Sequence, residues 1–311
     1  MKNTGIIFLA LSMLLSHAVP YAQLPRVVAG TLQRHENFPS SFVSPRHVDV
    51  WLPEGYPSNK KYNVLYMHDG QMLFDSTVTW NKLAWDADDA ITSLLREKKI
   101  RDVIVVGIWN SGADRHSDYF PQRPFEALTK EEKERIYASG RSNGEAVFSE
   151  YKINSDNYLK FIVDELMPFI EKNYAVRKGP KHTFIAGSSM GGLISLYAIC
   201  EYPRVFGGAA CLSTHWPGIF TLENNPVPEA IFNYMRKHLP SPATHKLYFD
   251  HGTATLDALY PSLQKKADEV LVSRGYSSRN WVTKEFPGED HSEKAWGKRL
   301  SIPLIYLLGR K

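Results

Sequence analysis

His182-Thr183-Phe184-Ile185-Ala186-Gly187-Ser188-Ser189-Met190-Gly191-Gly192-Leu193-Ile194-Ser195-Leu196-Tyr197 reads as a buried strand, a sharp turn and a helix in direct succession. The run 182–186 is apolar enough to be covered on both faces, and 191–202 continues at helical length. The Gly-x-Ser-x-Gly pattern between them is weak on its own. Its setting strengthens it, because glycines at 187 and 191 leave room for a tight strand-to-helix turn that lifts the Ser189 hydroxyl out at the strand end. A serine placed there lies beside a helix N-terminus, whose free N–H groups favour developing negative charge.

Outward from this turn, short apolar runs alternate with helical patterns. Strands are predicted at 62–67, 103–108, 182–186, 207–212, 245–249 and 281–286, and helices at 86–98, 156–173, 191–202, 229–238, 260–274 and 294–308. Leu159, Ile162, Val163, Leu166 and Ile170 share one face of the second helix, and Pro168 predicts a kink in it. Two earlier runs, 27–32 and 46–52, read as antiparallel strands. The expected fold is therefore α/β, an α/β-hydrolase type of three-layer sandwich with a mixed, mostly parallel sheet between helices.

Composition sets the class and the compartment. The 311 residues are 43% hydrophobic and 23% charged, as in a soluble globular chain with a sizeable core. The net charge of +4 spreads 33 acidic residues among 37 basic ones, which is no nucleic-acid footprint. Lys2, the apolar run 5–15 and the small residues through Ala22 read as a secretory signal peptide over 1–22, cleaved after Ala22 or Ala18. That run is too short for a membrane span, so the chain is expected to be exported, periplasmic or extracellular, with no stable membrane insertion after cleavage. Residues 23–311 then form one domain. Cys200 and Cys211 are too few for a disulfide framework, and their apolar surroundings favour buried thiols over a single bridge.

One stretch breaks the alternation. Residues 110–153 carry a proline- and aromatic-rich run, a charged stretch over 130–135 and a glycine-containing exit, with Thr129 and Glu132 in capping-box register. An insertion of this length is either a cap over the site or a plain surface excursion, and we read it as a cap.

A serine hydroxyl needs a base, and histidine is the usual one. In this fold the order is serine, acid, histidine, with the histidine on the loop after the last strand. His291 meets that requirement. His251, its chief rival, leaves no acid-bearing loop between itself and Ser189. The acid is restricted to Asp257 or Asp250, and Asp257 is favoured because it follows a turn and can point back at His291. Oxyanion donors are expected from the N–H of Met190 and, on the loop after strand 62–67, of Gln71. His68 and Asp69 invite a metal reading, but no His-Glu-x-x-His or Cys-x-x-Cys pattern occurs, so no metal is expected. Trp216, Tyr119 and Arg115 are candidates for binding the substrate, the aromatics by stacking and Arg115 through charge.

Three motifs, at 66–75, 187–192 and 288–293 followed by Trp296, are similar to those of the esterase family of α/β hydrolases that includes esterase D, enterochelin esterases, and feruloyl and acetyl xylan esterases. The resemblance spans about residues 46–308. It implies a serine hydrolase without a cofactor, with Ser189, His291 and an intervening acid as its triad. Two departures stand out: Met72 replaces a common Asn, and the acid is the least uniform motif. The expected activity is hydrolysis of a carboxylic ester, such as an acyl group on a small molecule or oligosaccharide. A siderophore esterase, an acyltransferase and a non-catalytic binding protein are the alternatives on the same fold. Oligomeric state is not legible.

Overall fold

A computed structural model describes residues 23–141, 144–148 and 153–310. The leader expected over 1–22 lies outside them. An eight-stranded sheet forms the middle layer, comprising β1 (Thr31–Phe38), β2 (Arg46–Leu52), β3 (Asn63–His68), β4 (Val103–Ile108), β5 (Thr183–Ser188), β6 (Gly208–Leu212), β7 (Lys246–Gly252) and β8 (Trp281–Phe286). Their order is β1-β2-β4-β3-β5-β6-β7-β8, antiparallel at β1/β2 and β2/β4 and parallel throughout the rest. This is the mixed-edge, parallel-body sheet that the sequence pattern implies.

The alternation of side chains divides the core in two. Val64, Tyr66, Ile104 and Val106 face one layer, which contains α7 (Met190–Glu201), α8 (Val227–His238) and α9 (Pro261–Ser273). Leu65, Met67, Val103 and Val105 face the other, which contains α1 (Ala87–Arg96), α10 (Glu293–Arg299) and α11 (Ser301–Leu308). Nearly every residue of α7 is buried, as expected for a helix that follows a central strand and packs between sheet and neighbours.

Two expectations shift. The first strand begins at Thr31 rather than at residue 27, because Gly30 has φ +79 and a Cβ there would meet the Leu52 carbonyl at 2.2 Å. Residues 23–30 instead form an arm whose amides at Arg26 and Val28 donate to Asp75 and Asp88 at 2.9 and 2.7 Å. The helical run expected over 156–173 is present as α5 (Ser155–Lys160) and α6 (Met167–Asn173), joined by a π-helical turn at Phe161–Leu166. Pro168 has no N–H to return to the preceding turn, and widening that turn relieves the contact its ring would make. The irregularity therefore precedes the proline.

The inserted segment folds as α2 (Arg115–Tyr119), α3 (Gln122–Glu126) and α4 (Lys130–Tyr137). At the start of α4, Thr129 and Glu132 form the reciprocal capping box. Phe120, Phe125, Tyr137 and Phe148 pack edge to face with centroids 5.0 to 6.0 Å apart. These rings tie the segment to itself and to the layer containing α7. Among the described residues, no helix is long and apolar enough to cross a membrane.

Candidate active site

Ser189 occupies the turn between β5 and α7 with φ 58 and ψ −122, a conformation that L-residues adopt only when their surroundings enforce it. Two contacts enforce it here. A Cβ on Gly187 would stand 2.6 Å from the Gly191 carbonyl carbon, so only glycine allows the chain to double back. The Ser189 N–H donates to the Leu212 carbonyl at 2.9 Å, and its own carbonyl accepts from the amides of Leu193 and His215 at 3.1 Å each. Met190 follows as the first helical residue, where a backbone N–H has no intrahelical acceptor.

His291 lies on the loop after β8, and its Nδ1 meets Asp257 Oδ1 at 2.5 Å. The His291 amide donates to Thr255 Oγ1 at 2.9 Å, and its ring meets Trp296 edge-on at 5.0 Å. Asp257 is fully buried, and its second oxygen accepts from the Gly252 N–H at 2.5 Å and the Ser213 hydroxyl at 2.6 Å. Ser213 in turn accepts from Trp296 Nε1 at 2.9 Å and Arg299 at 3.0 Å. Both carboxylate oxygens thus have directional partners, which fixes the orientation of the imidazole.

The rival acid is held elsewhere. Asp250 is buried against Arg299 at 2.9 Å and accepts from the Tyr248 hydroxyl at 2.9 Å. Burial raises its pKa, against the opposing pull of Arg299 and these bonds. His251 bonds the Gly252 carbonyl at 2.7 Å and does not line the cleft.

Ser189 and His291 open on one cleft of about 450 Å³, whose walls also carry Asp69, Gln71, Asn110, Arg115 and Trp80. Gln71 sits in the short turn after β3, its side-chain oxygen accepting from the Asn110 N–H at 3.2 Å. Gly70 brings that turn against β4, since a Cβ there would fall 2.5 Å from the Gly107 carbonyl carbon. Arg115 reaches the same wall and forks onto Asp69 at 2.7 and 2.6 Å, with Asn110 adding a third bond at 2.7 Å. Burial works to raise the Asp69 pKa, but the Arg115 charge and the bonds from Arg115 and Asn110 hold it below its usual value. His68 is buried with Nδ1 against the Tyr158 hydroxyl at 2.8 Å, and desolvation lowers its pKa to about 3. It is a neutral structural histidine. No group of metal-binding side chains is assembled among the described residues.

The structure therefore brings Ser189, His291, Gln71 and Arg115 to one cleft, with Asp257 behind His291. It does not bring Trp216 or Tyr119 there. Trp216 is fully buried against Phe232 and Phe249 and donates to Gln264 at 3.1 Å. Tyr119 is equally buried and packs on His68 and Tyr158, supporting the Arg115 wall from below. Trp80, absent from the sequence reading, is the aromatic that lines the cleft, with 82% of its surface exposed. Ser213, Trp296 and Arg299 were also not anticipated as supports of the acid.

A curated relative, "Uncharacterized protein YbbA" of Bacillus subtilis, is 23% identical over 90% of this chain and 97% of its own. An "Endo-1,4-beta-xylanase/feruloyl esterase" of Xylanibacter ruminicola is 23% identical over 90% of this chain, which spans 32% of that longer protein. In fold, the chain is similar to an IroE-like serine hydrolase from Shewanella oneidensis, with a TM-score of 0.63 at 21% identity, covering 89% of this chain and 78% of the other. The family described as "Putative esterase" matches residues 40–306, nearly the whole described domain, and the chain belongs to that esterase family.

Proposed function

We propose that the protein is an exported serine esterase that cleaves a carboxylic ester through an acyl-enzyme, its substrate an acyl group on a carbohydrate. The observation that carries this reading is the convergence of a strained Ser189 and an Asp257-oriented His291 on one cleft. In the proposed reaction the Ser189 oxygen bonds to the ester carbonyl carbon as its proton passes to His291. The tetrahedral oxyanion is held by the N–H groups of Met190 and Gln71. His291 then gives the proton to the departing alcohol as the C–O bond breaks, and water repeats the sequence to release the acid. Asp257, acceptor-only when ionised, keeps the imidazole hydrogen on Nδ1 and favours the imidazolium that forms.

The carbohydrate part of the reading is supported by Trp80, whose exposed face at the cleft suits stacking on a sugar or aryl ring, and by the name of the Xylanibacter relative. Export is supported by the sequence of residues 1–22.

Ser189→Ala is expected to lower turnover of a small chromogenic ester by at least about 10³-fold while leaving the melting temperature unchanged, and to abolish labelling by a fluorophosphonate. Activity surviving this substitution refutes the nucleophile. Acid release from acetylated xylan or feruloylated oligosaccharide supports the substrate class, whereas cleavage of a ferric-siderophore ester alone moves the function to siderophore hydrolysis. Acyl transfer to an added alcohol in preference to water identifies a transferase. Recovery of a full-length chain from the cytoplasm only counts against export.

A further inference from the structure

The turn 79–82 carries Trp80 to the cleft and is held by polar contacts on both sides. The Thr79 hydroxyl donates to the Ser76 carbonyl at 3.0 Å, the Lys82 ammonium to the Thr77 carbonyl at 2.8 Å, and the Leu83 N–H to Asn81 Oδ1 at 3.0 Å. Asn81 Nδ2 donates in turn to Glu293 Oε2 at 2.9 Å, in the first turn of α10. Where the loop ends, the Trp85 ring lies 5.6 Å from that of Trp296, and a Cβ on Gly297 would meet the Trp85 carbonyl oxygen at 2.8 Å. The loop that bears Trp80 is therefore fastened to the helix that begins just after His291.

That attachment places the loop relative to the chemistry. In the proposed reaction His291 returns its proton to the departing alcohol, so the alcohol half of the ester lies on the His291 side of Ser189. Glu293, two residues beyond His291, lines the cleft there together with Asn81 and Trp80. The charge at this spot differs from that on the opposite wall. Asp69 is paired with Arg115 at 2.6 Å, whereas Glu293 has no cation within ion-pair distance among the described residues, and its Oε1 has no hydrogen-bond partner among them. An exposed indole beside an unpaired carboxylate suits a polyhydroxylated ring, whose C–H face stacks on the indole while its hydroxyls donate to the carboxylate. The same carboxylate repels an anionic alcohol at this range.

We infer that Trp80 and Glu293 form the subsite for the alcohol half of the substrate and select a neutral sugar there, with Asn81 as the positioning residue that holds the two in register. The inference rests on the serine-esterase reading above. It goes further in assigning the carbohydrate to one side of Ser189 and in excluding acidic sugars and polyanionic siderophores from that side.

Two pairs of esters that share an acid separate the halves of the substrate: acetylated xylo-oligosaccharide against methyl acetate, and feruloylated oligosaccharide against methyl ferulate. Trp80→Ala and Glu293→Gln are each expected to raise KM about 10-fold more for the sugar esters than for the methyl esters of the same acid, with kcat within about twofold. The glutamine can still accept from Asn81, so the loop keeps its anchor while the charge is lost. Asn81→Ala should show the same selectivity more weakly. An unacylated xylo-oligosaccharide should inhibit the native protein competitively and more strongly than one bearing glucuronic acid, and Glu293→Gln should narrow that preference. Equal penalties on both alcohols, a penalty that follows the feruloyl group into its methyl ester, or a native preference for the acidic oligosaccharide overturns the inference. So does a native protein that labels with a fluorophosphonate and cleaves the methyl esters but neither sugar ester. Absence of labelling is a separate result, because it is the nucleophile assignment that has then failed.

Discussion

Two buried carboxylates support the cleft and differ in the cation-forming group each one faces. Asp257 faces an imidazole at 2.5 Å, and Asp69 faces a guanidinium at 2.6 Å. The guanidinium is charged at every accessible pH, so the Asp69 pair is a fixed strut whose geometry a substrate meets unchanged. The imidazole takes up and returns a proton in the proposed reaction, so the same carboxylate chemistry at Asp257 stabilises a charge that comes and goes. The fold therefore builds one wall to change state and the other to hold still. The two walls also differ in support. Asp257 is fastened by the Gly252 amide and Ser213, whereas Asp69 depends on side chains from the inserted segment.

The largest effect that could break this contrast comes from the acids. Asp257→Asn should reduce kcat about 10³- to 10⁴-fold with little loss of stability, because the amide leaves His291 in the wrong tautomer. Asp250→Asn should do the reverse, destabilising the protein by loosening its pair with Arg299 while reducing turnover far less. Steady-state kinetics and denaturant melts of both variants decide the matter, and a larger kcat loss at Asp250 would reassign the acid. Next in size is the strut. Arg115→Ala should cost about 1–3 kcal/mol of stability by leaving Asp69 without its cation, while kcat on a neutral ester changes by less than about tenfold. A collapse of kcat equal to that of Asp257→Asn would mean that the two walls are not distinct in role.

The smallest effect lies outside the cleft, where a buried carboxylate has no cationic partner among the described residues. Asp88 accepts from the Val28 N–H at 2.7 Å, and burial, with Asp89 adding to it, raises its pKa from 3.8 to about 6. The folded protein thus binds this proton more tightly than the unfolded chain does. The stability it contributes is complete below about pH 4 and is lost as pH rises through 6. Asp88→Asn should therefore gain about 2 °C in melting temperature relative to the native protein between pH 4 and pH 8. A constant difference across that range would exclude the titration.

The nucleophile turn was legible because its constraints are local: an apolar run, glycines where backbones touch, and a helix directly after. His291 was legible from chain order alone. Asp257 was less so, since sequence shows an acid at the strand end and another in the turn after it, but not that Arg299, 49 residues away, claims Asp250. Ser213 was illegible for the same reason, because its partners Asp257, Trp296 and Arg299 arrive from distant parts of the chain. The aromatic assignments failed on burial. Trp216 and Tyr119 resemble Trp80 in composition, but Trp80 lies in an aperiodic stretch that gave no sign of facing the cleft. β1 was misplaced because an edge strand needs no apolar run, so the polar stretch Thr31–Phe38 did not stand out.

The inserted segment leaves the sheet at the end of β4 and returns before α5, and its described helices bury their aromatics largely among themselves. It is nonetheless anchored to the domain by His116 on the Gly218 carbonyl at 2.6 Å and by Tyr119 on His68 and Tyr158, so a segment put in its place must keep these contacts. An exchange has two electrostatic conditions, one of them that the buried Asp118 carboxylate of the segment pairs with Arg46 at 2.9 Å. Because Arg115 is the cation for Asp69, a transplanted segment must bring a positive charge to that spot or be accompanied by a neutral residue in place of Asp69. Grafts that ignore these pairings would be expected to fail in folding before they could alter selectivity.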